Sequence, residues 1–215
     1  MSEILADTVP RATTVTAGWP VFTTAMTNLR AAASAWDAGE MVLTNAEAAL
    51  PGASLAFMSK MAGLTRKPDA DTSSLLEIWD MTVRGQVAYR GPVYRTLFPR
   101  GRRALTRGSP EELLGALRAL GMQLTAQIGW PVLVALGAAV TTFSDAARML
   151  RTAQTRAKAE LEAARLAQES CRVAAAGALY ALIGQGMATW SGNPAQVDTL
   201  WNVNLVRGRR GKIGD

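Results

Sequence analysis

Seven arginines stand between positions 84 and 107: Arg84, Arg90, Arg95, Arg100, Arg102, Arg103 and Arg107, with no acidic residue in that stretch. Tyr89, Tyr94 and Phe98 are interleaved with them. Guanidinium groups make bidentate contacts to phosphates and carboxylates, and aromatic rings stack on bases, so this composition suits an anionic partner. A second basic cluster, Arg207, Arg209 and Arg210 followed by Lys212, lies near the end of the sequence. The two clusters offer phosphate contacts to a nucleic acid, or docking points for an acidic protein surface, another copy of the chain included. No helix-turn-helix, RNP or zinc-finger pattern accompanies them.

Other chemistry is sparse. The chain has no histidine, which removes the commonest general base and the commonest metal ligand. Its single cysteine, Cys171, permits no internal disulfide, and zinc and iron–sulfur sites are not expected. Neither a phosphate-binding P-loop, a dinucleotide-binding glycine fingerprint nor a Gly-x-Ser-x-Gly elbow is present. Asp69, Asp71 and Glu77 gather near Lys67, but helix N-termini collect acids for capping alone. No residue is nominated as catalytic, metal-binding or cofactor-binding, and the expectation is a non-enzymatic protein without a cofactor.

The elements that carry these residues read as helices. From Ala138 to Ile183 there is no proline and one glycine, and alanine is the commonest residue. Along this run Phe143, Ala147, Leu150, Gln154, Ala157, Leu161, Ala164, Gln168, Cys171, Ala175, Ala178 and Leu182 recur at alternating steps of four and three. Heptad spacing places them on one stripe, and the alanines let a partner helix approach closely. Gln154 and Gln168 need partners if that stripe is buried. Unbroken, the run makes a rod on the order of 70 Å. Such a helix buries its stripe by folding back, by lying along another long helix, or by pairing with a second subunit.

Taken in order, residues 1–17 read as a polar N-terminal arm. Residues 18–108 form a first helical half, opened by Gly18-Trp19-Pro20-Val21, with a stripe through Phe22, Met26, Leu29, Ala33, Trp36, Leu43 and Leu50. Pro51-Gly52 reads as a turn in preference to a kink. The arginine-rich stretch 84–107 reads mostly as loop, because of Gly91-Pro92, Pro99 and Gly101. Residues 109–206 form a second half, opened by Ser109-Pro110-Glu111-Glu112, a capping box with proline at the first helical position. Residues 207–215 are a basic tail. Gly-Trp-Pro-Val recurs at Gly129, and Trp79 and Trp201 each lead to Val-Arg-Gly, which suggests a degenerate duplication with a period of about 111 residues. Trp19, Trp79, Trp130, Trp190 and Trp201 stand at segment ends, as packing or interface anchors.

The net charge of +6 is uneven. Residues 1–65 carry three basic and five acidic groups, 66–109 nine and four, and 110–215 eleven and eight. The most apolar runs, Trp130–Val140 and Val173–Ile183, are too short to span a bilayer, and Glu3 and Asp7 argue against a secretory signal. A cytoplasmic protein is the default expectation, with export by a signal-less route left open. The fold class is all-α: an elongated bundle of long alanine-rich helices in two related halves. The leading functional expectation is a structural, self-assembling or scaffolding protein that forms a homo-oligomer, filament or shell. The alternative is a nucleic-acid-binding, nucleoid- or phage-associated protein, and a third reading is an adaptor for a partner's helix.

Overall fold

The computed structural model describes residues 1–67, 69 and 72–201, apart from the side chains of 103 and 104. Among these residues the chain is all-α, a helical bundle with no strand. The helices are α1 (Ser2–Val15), α2 (Thr23–Thr65), α3 (Leu75–Gln86), α4 (Pro92–Leu97), α5 (Pro110–Thr125), α6 (Pro131–Thr189) and α7 (Pro194–Asp198). Short 3₁₀ turns occupy Pro20–Phe22 and Arg102–Leu105. The chain divides into two compact units: Met1–Ala48 with Ala159–Asp215, and Ala49–Lys158. This division differs from the two sequential halves expected at 18–108 and 109–206, because α2 and α6 each contribute to both units.

In the unit formed by Met1–Ala48 and Ala159–Asp215, the expected N-terminal arm is a helix. Leu5, Thr8 and Ala12 of α1 recur on one face and are buried. Leu5 and Ala12 join a core with Phe22, Met26, Leu29, Trp36, Ala175, Leu182 and Leu200. Pro10 lies inside α1, where proline costs about 3 kcal/mol in isolation; burial of that face overrides the local preference. The Thr16 N–H closes the helix on the Ala12 carbonyl at 2.9 Å, and Gly18 turns the chain at φ +80°. Here α2 lies along α6: Ala35 accepts a hydrogen bond from the Cys171 thiol at 3.5 Å. A Cβ on Gly39 would run into the Gln168 side chain, so glycine admits the close approach.

In the unit Ala49–Lys158, α2 continues without a break through Pro51. The expected turn there is therefore corrected: Pro51 is exposed, so the carbonyl it leaves without a helical donor, that of exposed Glu47, is open to water. Leu64, Trp79, Val83, Leu117, Leu124, Leu133 and Val140 belong to this unit's core. Ser109 and Glu112 form the capping box read from the sequence, the Ser109 N–H donating to Glu112 Oε2 at 2.7 Å. Gly121 of α5 and Gly137 of α6 let two backbones meet. A Cβ on Gly137 would sit 2.6 Å from the Thr125 amide nitrogen, and one on Gly121 would sit 3.3 Å from that of Thr141.

The long stripe predicted on 143–182 is the buried face of α6. Ala147 and Ala175 are fully buried, and Ala157, Leu161, Ala164 and Gln168 nearly so. Its partner is the other long helix, α2, and 138–183 is one uninterrupted helix. Gln154 is satisfied: its amide donates to Ser54 Oγ at 3.2 Å and accepts from Arg151 at 2.6 Å. Gln168 has no partner for either side-chain amide atom among the described residues.

Candidate functional site

The arginine-rich stretch is not mostly loop. It runs from the end of α3 through α4 and the turn at Arg102–Leu105, and it wraps one buried carboxylate. Ser74 caps α3 through a reciprocal box with Glu77. One turn on from Leu76, Asp80 is 2% exposed. The Tyr94 hydroxyl donates to Asp80 Oδ1 at 2.6 Å, Arg84 reaches Oδ2 at 2.8 Å, and Arg102 lies 3.6 Å from the same oxygen. Burial and the bond to Asp80 push the Tyr94 hydroxyl's pKa above its usual value. A buried carboxylate needs this set of partners, so Arg84 and Arg102 are engaged inside the fold. Arg84 also stacks over Tyr89 at 4.1 Å, and Arg90 lies over the same ring at 5.2 Å. Tyr89 meets Tyr94 edge-on, and Tyr94 packs against Phe98.

Arg90, Arg95, Arg100 and Arg107 are exposed and have no ion-pair partner among the described residues. Arg100 and Arg107 flank a groove of about 560 Å³ with Leu97, Phe98, Leu120 and Glu112 on its walls. Glu112 titrates below the usual carboxylate value because the Ser109 backbone donates to it, with Arg100 adding a smaller pull. The side chain of Arg103 and residues Arg207, Arg209 and Arg210 lie outside the described set, as does Asp71. No group of three or more metal-ligating side chains occurs among the described residues.

The tryptophans divide by burial. Trp79 lies within α3, not at its end, and meets Phe143 edge-on at 5.7 Å. Trp190 packs against Phe22 and Trp19 at 5.0 and 5.7 Å. Trp130 and Trp201 are partly buried against the cores of their own units, and Trp19 is 45% exposed. Trp36, inside α2, donates its indole N–H to Ser2 Oγ at 2.9 Å.

Sequence reasoning missed a second stripe on α6. Leu166, Ser170, Val173, Gly177, Tyr180, Gly184 and Met187 also step by four and three, on the open face of the helix. Leu166, Val173, Tyr180 and Met187 are 74%, 60%, 72% and 61% exposed. Gly177 and Gly184 face open space, and Ala167, Ala174, Ala181 and Ala188 alongside are exposed. From Val173 to Thr189 no residue is charged. The two heptad stripes are interleaved in one sequence, and the richer alanine stripe masks the other. By length and composition α6 meets the criterion for a membrane-crossing helix, with mean hydropathy 1.3 over its best window and 39% of that window buried, a criterion bundle core helices also meet.

The fold and these surfaces define an all-α helical-bundle protein. Comparison with protein-family models, characterised proteins and solved structures finds no match to this chain.

Proposed function

We propose that this is a non-enzymatic, self-assembling structural or scaffolding protein, with the open face of α6 as its assembly surface. The observation that carries the reading is the uncharged run from Val173 to Thr189, about half of which is exposed among the described residues. A helix that is apolar all round is ordinarily buried all round. Contiguous exposed apolar surface on a folded chain marks an interaction site. The buried stripe needs no second subunit, since α2 covers it, so the case for assembly rests on the open face. The test is the mass of nuclease-treated protein by light scattering at about 0.15 M salt, where exposed charges are screened beyond about 8 Å. A mass above the single-chain 22.8 kDa that rises with concentration is expected. A single-chain mass throughout the micromolar range overturns the reading.

A second reading, nucleic-acid binding, is favoured by the exposed Arg90, Arg95, Arg100 and Arg107. It requires binding to a labelled oligonucleotide that weakens steeply with salt. Replacing Arg95, Arg100 and Arg107 by alanine must then remove the binding while leaving Asp80 and its partners intact.

A further inference from the structure

We infer that the open face of α6 pairs with the same face of a second copy, antiparallel, about a two-fold axis between Gly177 and Tyr180. The inference rests on the self-assembly reading and names its partner and register. The stripe alternates small and large: Ser170, Gly177 and Gly184 occupy one heptad position, and Leu166, Val173, Tyr180 and Met187 the other. In a parallel pair small meets small and large meets large, leaving gaps and collisions in alternate layers. In an antiparallel pair with the axis so placed, Gly177 faces Tyr180 of the second copy, Gly184 faces Val173, and Ser170 faces Met187. Each layer then holds one large and one small residue, and the relation is reciprocal, as an isologous interface requires.

Two further observations favour a second copy over another partner. The charges beside the stripe are neutralised within the helix, Arg172 on Glu169 at 2.7 Å and Arg165 on Glu162 at 3.3 Å, so like copies meet without repulsion. Val173, Tyr180 and Met187, each more than half exposed, are the large side chains that the pairing covers. Gly177 and Gly184 have the open space that a partner backbone needs for close approach.

The test uses cysteine pairs in a Cys171→Ala background. Val173 and Gly184 are exposed, so the two introduced cysteines leave the core untouched, and the Cys171→Ala chain is the reference for all of them. The chain carrying both Val173→Cys and Gly184→Cys is expected to form disulfide-linked dimers under mild oxidation. Neither single variant should do so, and neither should the mismatched pair Leu166→Cys with Gly184→Cys. Separately, Gly177→Glu is expected to weaken association at least tenfold while circular dichroism stays unchanged. Cross-linking of Val173→Cys alone would indicate parallel pairing and overturn the register. Assembly that persists in Gly177→Glu would overturn this face while leaving self-assembly intact; a wild-type monomer removes both. Flotation of the monomer with neutral phosphatidylcholine vesicles, without dimers, would assign the face to lipid and also overturn the proposal.

Discussion

Helix α6 solves two packing problems differently in its two regions. In the unit Ala49–Lys158, its glycine at 137 is pressed against the backbone of α5, with Thr125 N–H and the Gly121 carbonyl at contact. In the unit that includes Ala159–Asp215, a Cβ on Gly177 or Gly184 would meet nothing within 4 Å among the described residues. Both regions bury one face against α2, and Gly137 packs against α5 as well. A glycine in a helix interior costs roughly 0.5–1 kcal/mol relative to alanine. At Gly137 that cost is offset by close packing inside the chain; at Gly177 nothing among the described residues offsets it. The difference locates the surface where a contact is still to be made.

The same substitution should therefore have opposite signs at the two glycines. Gly137→Ala forces its Cβ against the Thr125 amide and should lower the free energy of unfolding by about 1–3 kcal/mol, read from urea denaturation. An unchanged midpoint would mean that α5 moves aside and that its packing on α6 is not specific. Gly177→Ala, measured at dilution where single chains dominate, should raise stability by up to about 1 kcal/mol. A loss there would show that the open face is covered within the chain.

The two glutamines of the buried stripe sharpen the contrast on a finer scale. Gln154 has Ser54 and Arg151 as partners, whereas the Gln168 amide is buried with none among the described residues. Gln168→Leu should then stabilise by about 1 kcal/mol, since an unpaired buried amide costs that much or more. Gln154→Leu should destabilise, by removing the partner of Ser54 Oγ and one acceptor of Arg151, which keeps its ion pair with Glu111 at 2.6 Å. Equal effects from the two changes would erase the distinction.

The smallest effect concerns acid. Glu77 and Glu112 titrate below the ordinary 4.5, first because the Ser74 and Ser109 backbones donate to them. Their contribution is complete above that ordinary value and is lost as the pH falls through their depressed values. Helicity followed from pH 6 downward should begin to fall only below the ordinary value, and Glu112→Gln, which removes the titrating group, should flatten the part of the decline that belongs to α5.

Much of the fold was legible because local and tertiary preferences agree. Ser109, Pro110 and Glu112 satisfy a helix start chemically, and the buried stripe of α6 repeats for long enough to leave little competition. The arm reading of residues 1–17 failed for the opposite reason. Threonines and Pro10 disfavour a helix locally, and only the burial of Leu5, Thr8 and Ala12 reverses that. The turn at Pro51 failed likewise, since a proline on the wet side of a long packed helix is tolerated. Among the described residues nothing displays the duplication suggested by the repeated Gly-Trp-Pro-Val, and the chain's compact units cut across it.

The candidate site divides in the same way. Composition alone determined that the chain is helical, poor in catalytic groups and rich in arginine between 84 and 107. Spacing cannot tell an arginine that neutralises Asp80 from one that faces solvent, because the two differ only in where the chain places the carboxylate. Nor can it say which of two interleaved heptad stripes on α6 receives α2. Only the tertiary structure decided both, since burial belongs to the pairing of distant segments and not to either segment by itself.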